Sequence, residues 1–139
     1  MTSDKDHIAS CACGQLSVTA MGEPDMVSAC NCLDCQKRTG SVFGVAAYYP
    51  RERMVSIEGT SKTFSRGSDA GRDLTMHFCP DCGTTVYWDL EMRPSHVGVA
   101  VGCFSDPEFF APARAVWTQR QHHWVMFPGD LPTFPKSAE

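Results

Sequence analysis

Phe78-Cys79-Pro80-Asp81-Cys82-Gly83 decides the fold. Proline stiffens the tight turn between the two thiols, and the glycine after the second tolerates a positive φ, so backbone N–H groups can turn toward sulfur. This is the usual half-site of a structural zinc, in which four ligands close a tetrahedron at about 2.3 Å each. A half-site needs a partner, and Cys11-Ala12-Cys13-Gly14 repeats the Cys-Gly ending far upstream. The four thiols Cys11, Cys13, Cys79 and Cys82 together predict one closed, structural ion that pins the start of the chain to its middle. A redox dithiol at Cys79 and Cys82 would instead belong to a βαβ unit, and the sequence shows none.

The remaining cluster is Cys30-Asn31-Cys32-Leu33-Asp34-Cys35, with three thiols and no fourth nearby. Three sulfurs leave a coordination position open, and an open position is where chemistry can occur. Cys103, in the apolar stretch Val97–Phe104, and the histidines 77, 96, 122 and 123 are the alternative fourth ligands. Three thiolates quench Lewis acidity, so the site is poorly suited to generating hydroxide. A soft, thiolate-rich ion suits a soft fourth ligand, and a substrate thiol bound there is held deprotonated and nucleophilic. Its natural partner is a small electrophile such as an aldehyde carbonyl.

Around these clusters, runs of β-branched and aromatic residues alternate with Gly and Pro signals. The expected strands are 16–20, 42–49, 54–57, 62–65, 73–78, 84–88, 97–101, 113–117 and 124–127. Glu58-Gly59, the polar loop Arg66–Gly71 and Asp106-Pro107 read as turns, and one short helix is expected from Leu33 to Thr39, stopped by Gly40. The tail from Pro128 to Glu139 should lie extended or fray. The whole of 1–139 reads as a single, mainly β, zinc-binding domain with at most one or two short helices.

Of the 139 residues, 42% are hydrophobic and 20% charged, values of a chain that folds. A formal charge of −4 lacks the basic footprint of a nucleic-acid binder, so no nucleic-acid partner is expected. No apolar run reaches a membrane span and no signal-peptide core follows the polar start, which predicts a cytoplasmic protein with thiolate ligands rather than disulfides.

The three cysteine groups, in this order and spacing, together with Gln36-Lys37-Arg38-Thr39-Gly40, Trp117, Trp124 and Leu131-Pro132-Thr133-Phe134, resemble the glutathione-dependent formaldehyde-activating enzymes, relatives of the centromere protein V domain. The resemblance runs from about Ser10 to Phe134. It implies a tent-like fold of two packed sheets and two zinc ions per chain, one structural at Cys11, Cys13, Cys79 and Cys82 and one catalytic at Cys30, Cys32 and Cys35. It also implies a carbon–sulfur lyase that joins glutathione, or a related thiol, reversibly to formaldehyde or another small aldehyde. Ala9 and Cys103 depart from the family pattern.

Arg38 and Lys37 are placed to meet a carboxylate of a glutathione-like tripeptide, and Thr39, Gly40 and Phe43 to line the pocket. Trp117 and Trp124 are assigned to the core. Phe109 and Phe110 are assigned to core packing, with an exposed lip or homodimer contact as their other use. A non-catalytic, zinc-stabilised interaction domain and a metal- or redox-sensing module are the competing functions.

Overall fold

The computed structural model describes residues 5–67 and 73–138. Among these described residues ten strands form two sheets. β1 (Asp6–Ser10), β2 (Ser17–Met21) and β5 (Met54–Glu58) make a three-stranded antiparallel sheet in the order β1-β2-β5. The larger sheet has seven strands in the order β10-β3-β4-β9-β8-β7-β6. Its members are β3 (Met26–Cys30), β4 (Gly44–Pro50), β6 (Lys62–Arg66), β7 (Leu74–Phe78), β8 (Thr85–Leu90), β9 (His96–Ala100) and β10 (Arg114–Val116). All its pairings are antiparallel except β10 with β3. The single α-helix among the described residues, α1, spans Leu33–Thr39.

Period-two alternation divides the large sheet into two faces. Val45, Ala47 and Tyr49 of β4, with Val97 and Val99 of β9, turn toward the small sheet and form a core with Ala9, Val18 and Ala20. Ala46, Tyr48, Trp88 and Ala100 turn to the opposite face and form a second apolar cluster. The fold is therefore mainly β with two packed sheets, and its second face is left for a site.

Eight expected strands are present within a few residues of their expected ends. Two strands carry no strong β signal: β1 begins with Asp6-His7, and β3 (Met-Val-Ser-Ala-Cys) has one β-branched residue, no aromatic, and three small residues at its end. Both form because a neighbour supplies the ladder, β2 for the first and β4 and β10 for the second. The strand expected at 124–127 is absent. Gln121 Nε2 donates to the Val125 carbonyl and the Val125 N–H to the His122 carbonyl, closing local turns where no strand lies alongside. Trp124 is consequently 62% exposed, which corrects its assignment to the core. Trp117 is half-buried and lines a cavity rather than the core. Phe109 is buried in the core with Phe110 packed against it. The tail is tied down: Thr133 bridges Ala115, and the Trp117 N–H donates to the Lys136 carbonyl. Residues 68–71 of the polar loop lie outside the described residues.

Candidate metal centres and the cavity beside them

Two similar turns build the four-cysteine group. In the first, the Cys11 N–H donates to Leu16, the Gly14 N–H returns to the Cys11 carbonyl, and Gly14 has φ 85°. In the second, the Cys79 N–H donates to Thr84, the Gly83 N–H returns to the Cys79 carbonyl, and Gly83 has φ 82°. A side chain at either glycine would be strained, which explains the repeated Cys-Gly ending. The sulfurs of Cys11 and Cys13, and those of Cys13 and Cys79, are each 3.7 Å apart. Ligands of a tetrahedral zinc with bonds of about 2.3 Å stand about 3.8 Å apart, so this donor set fits the ion.

Donors surround the sulfurs as thiolates require. Gln15 Nε2 reaches Cys79 Sγ at 3.0 Å, and the Asp81 N–H donates to the same sulfur at 3.3 Å. Burial would push the Cys79 thiol up, but the Gln15 amide and the backbone N–H groups of Cys82 and Asp81 outweigh it and hold the thiol below its ordinary value. Cys82 is lowered to about 5 by hydrogen bonding with Thr84. Gln15 also brackets Thr60, donating to its carbonyl at 2.7 Å and accepting from its N–H at 2.9 Å, so the first turn is tied to both the second and the β5–β6 connection.

The second group comprises Cys30, Cys32 and Cys35, with all three sulfurs within 4.8 Å of one another. Cys30 is the last residue of β3, Cys32 caps α1, and the Cys35 N–H donates to Cys32 Sγ at 3.3 Å. Gly40, with φ 68°, ends the helix by donating to the Gln36 carbonyl. Asn31 is fully buried and anchors the segment to β10 through Val116, and Gln36 Nε2 holds the Asn31 and Arg120 carbonyls. Hydrogen bonds from the Cys30 and Cys35 thiols push Cys32 well below the ordinary thiol value, and the Cys32 and Cys35 contacts push Cys30 up. Among the described residues this group contains no fourth metal-ligating side chain. His77 pairs with Asp89, His96 with Asp25 and His122 with Gln36. Cys103 faces the Thr85 carbonyl and borders a different hollow, shared with Cys11, Cys13 and Cys82.

The three sulfurs open onto a cavity of about 170 Å³ on the second face of the large sheet. Gly44, Ala46 and Tyr48, alternate residues of β4, form part of its floor, beside Ser28 of β3, Trp88 of β8 and Met76 of β7. Arg38 is part of its lining. Its guanidinium lies 4.6 Å from the centre of the Trp88 ring, in space that a Cβ on Gly44 would take. Thr39, Gly40 and Phe43 do not line this cavity. Thr39 and Phe43 border the hollow near the four-cysteine group, and Gly40 and the exposed Lys37 border a third depression with Leu33. A seven-residue helix explains the separation, because Arg38 and Lys37 point about 100° apart around its axis.

The chain belongs to the glutathione-dependent formaldehyde-activating enzyme family. The family's model matches residues 6–120, taking in all three cysteine groups. A crystal structure of a Rhodobacter sphaeroides protein has the same fold, with TM-score 0.51 and 19% identity over 69% of this chain and 85% of that one. Membership supports an activity related to glutathione and formaldehyde.

Tyr48, Arg66 and Arg114 also line the cavity, and no sequence motif contains them. Arg114 and Arg66 lie far from the cysteines in sequence and come beside them through β10–β3 pairing and an ion pair from Arg66 to Asp34 of α1. The only signal for Tyr48 was strand alternation: it stands four residues after Gly44, whose register partner is Cys30.

Proposed function

We propose that the protein is a zinc-dependent carbon–sulfur lyase that adds a thiol of the glutathione class reversibly to formaldehyde or a small aldehyde. The observation that carries this reading is a three-cysteine group that, among the described residues, has no fourth protein ligand and opens onto a cavity. Zinc held by Cys30, Cys32 and Cys35 would lower the pKa of a substrate thiol so that it reacts as thiolate at neutral pH.

In the forward direction the thiol sulfur attacks the carbonyl carbon and a C–S bond forms. The carbonyl π pair moves to oxygen, and that oxygen gains a proton in balance with the one lost from sulfur. Tyr48 is suited to aid this oxygen. Its hydroxyl makes no hydrogen bond among the described residues, and burial, followed by the charges of Cys35 and Cys30, pushes its pKa upward and keeps the phenol protonated. A protonated phenol donates a hydrogen bond where negative charge develops. Apolar walls from Met76, Trp88 and Leu90 strengthen that bond by excluding water.

The test is Cys30→Ser. The variant is expected to fold, keep zinc at the four-cysteine group and lose thiol-dependent turnover of ¹³C-formaldehyde followed by NMR. Undiminished turnover in the folded variant would reject the reading.

A further inference from the structure

We infer that Arg38, Arg66 and Arg114 make this cavity selective for a thiol that carries two acidic groups, with or without a peptide bond between them. The inference rests on the reading that a thiol occupies the three-cysteine site, and it names Arg66 and Arg114 as specificity residues.

Among the described residues, neither Arg38 nor Arg114 is in an ion pair. Arg38 lies against the Trp88 ring, and Arg114 uses Nε on the Ser28 hydroxyl at 3.2 Å. Arg66 has a side chain only 13% exposed. It pairs through Nη1 with Asp34 at 3.2 Å, while its buried Nε–H has no partner. Arg38 and Arg114 are part-buried without a carboxylate among the described residues, and Arg66 keeps one buried donor unpaired, so an anionic ligand would complete all three. Arg93, a fourth arginine of the lining, is already engaged.

The cations border the cavity from three elements, Arg38 on α1, Arg66 at the end of β6 and Arg114 at the start of β10, so they can meet two separated anionic groups at once. The forked donors of arginine suit carboxylates in particular. Asp73 is the one carboxylate among the described residues of the lining, which otherwise offers hydroxyls such as those of Ser28 and Tyr48 as its neutral polar groups. A small dicarboxylate thiol without peptide bonds therefore satisfies the same groups as a tripeptide.

An alternative use of the arginines is to offset the charge of the cysteine sulfurs, since Arg66 acts on Cys32 and Arg38 on Cys35. The experiment separates the two. S-methylglutathione, S-methyl-mercaptosuccinate and the diethyl ester of each, none of which has a free thiol, are titrated into the zinc-loaded protein by calorimetry. Both diacids are expected to bind, and the diesters about tenfold or more weaker. Arg114→Gln should weaken both diacids by a similar factor and leave diester affinity unchanged. Arg66→Gln serves as a second variant where it folds. Equal binding of diacid and diester, or unchanged diacid affinity in Arg114→Gln with a change in zinc affinity instead, overturns the inference. Cys30→Ser should still bind the diacids. Diacid binding without any thiol-dependent turnover in the wild type would reject the lyase reading and leave this one standing.

Discussion

Gly44→Ala tests how the cavity is built. A Cβ at residue 44 would stand 2.5 Å from Arg38 Nη2 and 3.2 Å from Thr39 Cγ2, so the guanidinium must leave its seat. The backbone there does not require glycine, because Gly44 is absent from the positive-φ positions. Stability should change little. Losing the Arg38–Trp88 contact costs about 0.5–2 kcal/mol, and replacing a strand glycine returns about 0.4–1 kcal/mol through the unfolded chain. The melting temperature should therefore move by no more than about 5 °C. Ligand binding should suffer more, because a charge-assisted hydrogen bond is worth about 1.5–3 kcal/mol, which corresponds to about 10- to 150-fold in affinity. The assay is calorimetric titration of S-methylglutathione into wild type, Gly44→Ala, Arg38→Ala and the double variant. If Gly44→Ala acts through Arg38, the double variant should bind no worse than Arg38→Ala alone. Wild-type affinity in a folded Gly44→Ala would refute the placement of Arg38 against the ligand, and additive losses would show that residue 44 acts by another route.

Three further outcomes are expected. Tyr48→Phe should leave the melting temperature within about 2 °C of wild type and lower kcat by about 10- to 100-fold with little change in KM, read from steady-state kinetics; an unchanged kcat removes the phenol from the chemistry. Progressive chelation should strip the three-cysteine site first, with loss of turnover and retained circular dichroism, and unfold the protein only when the four-cysteine site empties; simultaneous loss of both signals would contradict the division of labour. For Asp89, burial raises its pKa, but Arg51 Nη2 at 2.5 Å and His77 Nε2 at 2.8 Å outweigh it, so the folded value lies below the unfolded one. Its contribution is present above pH about 4 and lost as pH falls through the folded value. Since Asp89 is 35% and Arg51 49% exposed, Asp89→Asn should cost only about 1 kcal/mol at pH 7 and almost nothing at pH 2. A penalty in denaturant melts that is the same at both pH values would count against it.

Local chemistry made much of this protein legible from its sequence. Cys-Pro-Asp-Cys-Gly and Cys-Ala-Cys-Gly announce their turns because positive φ at Gly83 and Gly14 is a local requirement, and Leu33–Thr39 announces a helix through its Gly40 stop. Alternation of β-branched and aromatic residues marked eight strands for the same reason, since each pattern lies within one short segment. Where a segment's state depends on what lies beside it, the pattern misled. Residues 26–30, with one β-branched side chain and no aromatic, became a strand between β4 and β10, whereas the aromatic run at 124–127, with no strand alongside, closed into turns and left Trp124 exposed.

The cysteine groups thus belonged to the sequence, whereas the surroundings of the three-cysteine group belonged to the tertiary structure. Cys30, Cys32 and Cys35 fall within six consecutive residues, so the chain itself keeps their sulfurs close. No spacing relates them to Arg66, Arg114 or Tyr48, which meet around one cavity only through sheet order, register and the face each strand presents. The same physics moved Thr39, Gly40 and Phe43 away from that cavity although they adjoin Arg38 in sequence. Ligands a few bonds apart are constrained by the chain itself, and residues tens of positions apart are constrained only by packing.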